Sequence, residues 1–353
     1  MLPRFVMKTH TDALRPGNFS VLIAKCTYRD RGGYADAVVK RLSEYLPSSV
    51  AKYTVMTATT KNRGFGFLTQ RMMWSWKGHV INAILKSLGK ESGDPQDYWQ
   101  LSKLERIAYF KYYLETEGAF LFKFSEKLKS LGTVSYFQLQ QKIQDLFEEI
   151  YLEYIDFTPD FRERLRIKSM LNETHKQMKD KAKKYSLGTI AHKIRPHMQA
   201  LSDLRLLEIQ TRGGEEIYAP ITENGFQPLI AFCERVRTLK ELEETISTDK
   251  CFALIAQTLN LDAQAFSRSQ HADKLLRVLL RGYEAIREPS TGIADIPALA
   301  DFVAARMLCD EGIVVESKDF SEFLDERRIS LPSSVQYHVD GRGELAYVIL
   351  NIG

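Results

Sequence analysis

Cysteine is scarce: Cys26, Cys233, Cys251 and Cys309 are the only four in 353 residues. None forms a CxxC pair, and none has a histidine at metal-ligand spacing. A disulfide-stapled secreted scaffold and a zinc finger are excluded on that count, which leaves thiols in a reducing cytoplasm. The N-terminal MLPRFVMKTHTDALRPG carries charge and proline where a secretory signal needs an apolar core. No run approaches the roughly 18 apolar residues of a membrane span. A cytoplasmic protein with no membrane partner is therefore expected. Also missing are the third glycine of a dinucleotide fingerprint beside Gly64 and Gly66, a Gly-Lys-Ser/Thr phosphate loop, an HExxH pair and a Gly-x-Ser-x-Gly elbow. His175, His192 and His197 are not spaced for a helical metal pair, so neither a metal nor a cofactor is expected.

What is present is 44% hydrophobic and 27% charged residues, an ordinary globular mixture that excludes a disordered tail, a collagen-like fibre and a coiled-coil rod. The length predicts two or three domains, because single cores stop growing near roughly 250 residues. Helical apolar spacing dominates. Tyr34, Val38, Val39, Leu42 and Leu46 form one face, which Pro47 ends. Gly64 to Phe67 and Gly89 to Pro95 read as breaks. Leu101 to Leu131 is strongly helical with a joint at Gly118, and Tyr136 to Tyr154 repeats the pattern. Residues 226 to 286 are helical again, and Glu288 to Gly292 reads as a linker. Val335 to Ile349 reads as two strands around Asp340-Gly341-Arg342-Gly343, an Asp-Gly hairpin signal. No repeat at solenoid period is visible. The expected class is mainly α, α+β: a multidomain helical protein with a C-terminal β-hairpin module. The expected parts are 1–158 (helical), 159–225, 226–288 (helical) and 289–353 (small, α/β).

Charge is unevenly placed. Residues 162 to 198 hold eleven Lys or Arg against three Asp or Glu, a net +8, in a chain whose total is +4. Immediately after come the stretch Asp203-Leu204-Arg205-Leu206-Leu207-Glu208, a short hairpin from Glu208 to Tyr218 with Gly213 and Gly214 at its tip, and a polar turn from Thr222 to Gly225. Pro196 predicts a helix start at 192 to 195, since proline is tolerated in the first turn and disruptive deeper in. Met198, Leu201 and Leu204 then face a core.

This helix, leucine-rich turn and hairpin resemble a winged-helix DNA-binding domain over about residues 160–225, with 289–353 as a possible second copy. Arg205 stands at a turn position where glycine is common in that family. The resemblance implies that Lys193, Arg195, His197 and Gln199 face the major groove and that Arg212 sits on the wing. Upstream, Lys179, Lys181, Lys183 and Lys184 would neutralise phosphates. Duplex DNA is the expected partner, and the protein a regulator or the DNA-engaging subunit of a larger assembly.

Three further readings compete. Lys61, Arg63, Phe65, Phe67, Arg71, Trp74, Trp76 and Lys77 interleave charge with aromatics, either to hold a single strand or to build a core with snorkelling cations. Ile313-Val314-Val315-Glu316-Ser317-Lys318 resembles the second half of a PD-(D/E)xK nuclease site, which would need Asp295 or Asp310 as the partner carboxylate and Glu316 and Lys318 beside a metal. The third reading is a scaffold whose winged helices bind protein partners or a second copy.

Overall fold

The computed structural model describes residues 14–29, 31–59, 64–91, 93–184, 188–330, 335–339 and 345–351; of Thr174, residues 176–184 and 188–193, Ser330 and Leu345 only the backbone path is described. The first part is helical: α1 (Pro16–Val21) runs into a π-helical turn at Leu22–Cys26, followed by α2 (Ala35–Leu42), α3 (Ser48–Ala58) and α4 (Trp76–Ser87). Phe65 and Phe67 leave the glycine-rich break and stack on Phe19, with ring centroids 5.1 and 5.0 Å away. They are core residues, so the single-strand reading of this segment is set aside. Trp74 donates its indole N–H to Thr27, and Lys77 pairs with Glu115 at 2.5 Å. Lys61 and Arg63 lie outside the described residues.

The organising element is α5 (Lys103–Leu131). A reciprocal cap between Ser102 and Glu105 starts it, and Gly132, at φ 73°, ends it. It is apolar on nearly all sides because α4 and five later helices pack around it. The expected joint is real: Glu117 departs from helical geometry (φ −122°, ψ 15°). Beside it, a Cβ on Gly118 would meet Leu242 at 3.2 Å.

From here a similar arrangement occurs twice, with three helices between the short strand and the hairpin in the first round and two helices with a further short strand in the second. After α5 come β1 (Val134–Ser135), α6 (Tyr136–Phe157), α7 (Phe161–Lys184), α8 (Gly188–Asp203) and a hairpin of β2 (Leu207–Arg212) and β3 (Glu215–Pro220). Helices α9 (Pro228–Arg235), α10 (Leu239–Ser247) and α11 (Cys251–Thr258) then pack back onto α5, ahead of β4 (Gln264–Ala265). The second round is α12 (Arg268–Ile286), β5 (Ala294–Asp295), α13 (Ile296–Glu311), β6 (Ile313–Val314), α14 (Ser317–Ser330), and a hairpin of β7 (Val335–Val339) and β8 (Leu345–Leu350). In each round the short first strand pairs antiparallel with the second hairpin strand, giving sheet orders β1-β3-β2 and β5-β8-β7. The β4 and β6 strands form a separate parallel pair.

The hairpin expected at 208–218 is present. Gly213 and Gly214 both take positive φ (59° and 84°), which glycine adopts without the Cβ penalty and which matches the twist of a two-residue turn. One expectation fails locally. Pro196 lies inside α8 rather than in its first turn, so the helix runs on without the hydrogen bond that position would donate. Met198, Leu201 and Leu204 are buried as the periodicity requires.

Buried side chains form one cluster from Leu14 to Leu350. It continues across the expected boundaries at 158, 225 and 288, because α5 lies at its centre and is covered by helices from both sides of each boundary. Among the described residues no helix is long and apolar enough to cross a membrane.

Candidate nucleic-acid interface

Helices α7 and α8 and the β2–β3 hairpin carry the residues expected to face DNA, and the structure divides them. His197 is fully buried under α5. Its Nδ1 lies 2.9 Å from the Tyr113 hydroxyl and 3.9 Å from the Glu117 carboxylate, and its ring packs 4.5 Å from that of Phe120. Burial pushes its pKa down to about 3, so it is neutral. It cannot touch DNA, which corrects the assignment made from position alone. Helical spacing puts residue 197 on the same flank as Leu201 and Leu204.

Arg195 is on the outer side but engaged. Its Nε lies 3.2 Å from Glu216 on β3, and its guanidinium sits 4.9 Å from the centre of the Tyr136 ring. Glu216 also accepts from Tyr218 at 2.9 Å, so α8 is fastened to the hairpin by a charged hydrogen bond. Gln199 is half-buried. Arg212 is exposed near the hairpin tip, where its Nη2 donates to Gln210 at 2.8 Å. The side chains of Lys179, Lys181, Lys183, Lys184 and Lys193 lie outside the described residues. On the described part of α7, Arg162, Arg166 and Lys168 are exposed. The hairpin itself carries Glu208, Glu215 and Glu216 against Arg212, so the cationic character resides in α7 rather than in the hairpin.

The nuclease constellation is not assembled. Asp295 belongs to β5, in the sheet with β8 and β7, whereas Glu316 follows β6, which pairs with β4. Asp295 instead approaches His79, with Oδ2 3.8 Å from Nε2, and Asp310 pairs with Arg306 at 2.9 Å. The Glu316 backbone N–H donates to Asp319 at the start of α14. Lys318 points to solvent with Glu322 3.6 Å away. The α13 helix separates the two halves of the motif, and a shared metal needs them on neighbouring strands. Among the described residues no three His, Cys, Asp or Glu side chains are grouped to hold a metal.

Sequence reasoning missed the most charged buried region. Lys111 on α5 reaches Asp301 on α13 (2.7 and 2.9 Å), Glu115 (3.0 Å) and Asp249 (3.7 Å). Tyr112 donates to Asp301 at 3.1 Å, and Ser317 at the start of α14 donates to Asp249. Burial works to lower the Lys111 pKa, but Asp301, Glu115 and Asp249 outweigh it, and the ammonium is held charged. With Lys77 the cluster has two cations for three carboxylates. Burial, only partly offset by Lys111, pushes Asp301 up to about 6 and also raises Asp249. Glu115 is held low: burial opposes this, but Lys77 and Lys111 prevail. The only sequence trace is a lysine on an otherwise apolar face of α5.

No protein-family model matches the chain, and comparisons with curated proteins and with solved structures find no match.

Proposed function

We propose that the chain is a DNA-engaging protein built on two winged-helix units, about 134–220 and 268–350, acting as a regulator or as the DNA-engaging subunit of a larger assembly. The observation that carries this reading is a sheet pattern that occurs twice: a short strand follows a long helix, and after two or three further helices it pairs with the second strand of a hairpin. Phosphate contacts dominate over base reading. His197 is buried and Arg195 is engaged by Glu216, while the surplus of positive charge lies in residues 162–198. Binding by such a surface is strong at low salt, falls steeply as salt rises and depends little on sequence.

A gel-shift series with duplex and single-stranded DNA at several salt concentrations, with and without magnesium, tests this. Duplex binding with a steep salt dependence and no cleavage product is expected. Replacing Lys181, Lys183 and Lys184 with Gln should weaken binding to every sequence alike and flatten the logarithmic salt slope by about 0.9 per lost phosphate contact. No shift at low salt would end the DNA reading. A scaffold role for the second unit has its own support: α14 carries Asp319, Glu322, Asp325 and Glu326 against Lys318, Arg327 and Arg328. That balance suits a protein partner better than a phosphate backbone.

A further inference from the structure

Helices α9 and α11 pack against each other on α5, and where both end a cavity of about 470 Å³ opens to solvent. The residues lining it all lie within 226–261, a stretch described throughout. The last turn of α9 contributes Glu234 and Arg235, so a carboxylate and a guanidinium border the same space. Glu234 pairs through Oε1 with Lys129 near the end of α5 at 3.1 Å, and its Oε2 has no partner among the described residues. From the other side come Gln257, in the last turn of α11, and Asn260 just beyond it. The side chains of Arg235, Gln257 and Asn260 make no hydrogen bond or ion pair with any described residue. Phe226 and Leu261, both half-buried, add an apolar wall. Asn260 takes φ 49°, the left-handed conformation that ends many helices and that asparagine tolerates.

We propose that this cavity binds a free α-amino acid with an amide side chain: Arg235 holds the carboxylate, Glu234 the ammonium, and Gln257 and Asn260 the side-chain amide. A cavity presenting both signs matches a zwitterion, whereas a simple anion would meet the Glu234 carboxylate and a simple cation the Arg235 guanidinium. The guanidinium fork suits the paired oxygens of a carboxylate. The ammonium gains twice, from Glu234 and from the partial negative charge at the C-terminal ends of α9 and α11. Each amide of the cavity both donates and accepts, as does the amide of the ligand. Phe226 and Leu261 flank the aliphatic stem. The volume lies within the roughly 300–1,000 Å³ of small-molecule sites. The site shares no residue with those invoked for DNA, so its test is independent of that reading.

Calorimetric titration of the full chain with glutamine, leucine, propionate and propylamine tests the proposal. Glutamine should bind saturably, leucine about tenfold more weakly because it leaves the amides unpaired, and the two singly charged probes not measurably. Arg235→Gln and Glu234→Gln should each weaken glutamine binding about tenfold or more. Both positions are exposed, so the melting temperature should stay at the wild-type value. Lys129→Gln, which removes only the outer partner of Glu234, should not weaken binding. Asn260→Gly separates ligand recognition from helix capping. Glycine keeps the left-handed turn, so stability should hold while the preference for glutamine over leucine falls. Lack of saturable glutamine binding at millimolar concentration would overturn the proposal. So would propionate or leucine binding as tightly as glutamine, or wild-type affinity in Arg235→Gln.

Discussion

Arg205 takes a conformation that an L side chain adopts reluctantly, at φ 57° just after α8, and its side chain is exposed. The left-handed region costs a non-glycine residue roughly 1–2 kcal/mol. Glycine avoids that cost but loses more chain entropy on folding. Arg205→Gly is therefore expected to raise stability by about 1 kcal/mol or less, read as a shift in the urea midpoint at constant slope. His79 and His197 make a second case. Burial lowers both pKa values to about 3, for His79 with help from Arg29 and Lys86, whereas the ordinary value is 6.5. The unfolded chain thus takes up two protons that the fold refuses. Their contribution is complete above about pH 6.5 and is lost as pH falls from 6.5 toward 3, by up to ~1.4 kcal/mol per pH unit for each histidine. Asp301, pushed up to about 6, acts with the opposite sign between 3.8 and 6. The decisive comparison is consequently between slopes. His197→Phe should flatten the dependence of stability on pH relative to the wild type, and an unchanged slope would mean that His197 is protonated in the fold.

At the scale of elements, the Lys111 cluster joins α5, α13, the α10–α11 connection and the start of α14 through side chains rather than backbone. Truncating one partner of a buried charged group leaves the others unpaired, at a cost of about 3–5 kcal/mol. Lys111→Met should lose stability of that order, although methionine fills a similar volume. Asp301→Asn should lose less, since it keeps an acceptor for Lys111 and leaves Glu115 paired. Both are measured by denaturant unfolding, and equal losses in the two variants would point to packing rather than charge. The elements themselves were largely legible. The α5 and α6 helices follow from apolar spacing, and the β2–β3 hairpin follows from paired glycines. The start of α8 was misread because a proline rule that holds for isolated helices gives way when the helix is buried on one side: Ile194, Met198 and Leu201 are all covered.

For the whole molecule, a single core predicts a single transition. The α5 helix is covered by α6 on one side of the expected boundaries and by α9, α11 and α13 on the other. Separating the chain at 158 or 225 would expose faces rich in Phe and Tyr, each large side chain accounting for about 1.5–3 kcal/mol of burial. Urea unfolding followed by circular dichroism and by tryptophan fluorescence should give coincident curves. The fragments 1–158 and 226–353 should fail to fold when expressed alone. Two resolved transitions, or a folded fragment, would contradict a shared core.

Local chemistry was written in the sequence: mainly helical structure, the joint at Gly118, the glycine hairpin and the basic run from 162 to 198 all follow from spacing and composition, which act over a few residues. Three things were decided only by tertiary packing. The two sheets share an order without a visible sequence repeat, because pairing a two-residue strand with a hairpin needs backbone geometry and few particular side chains. His197 and Lys111 look like surface residues when isolated, and only the helices closing over them make one neutral and the other the centre of an ion cluster. Asp295 and Glu316 are 21 positions apart in the chain, yet Asp295 lies in β5 and Glu316 just after β6, a strand of a different sheet. Which polar side chains meet is a long-range property of the fold, and spacing along the chain does not carry it.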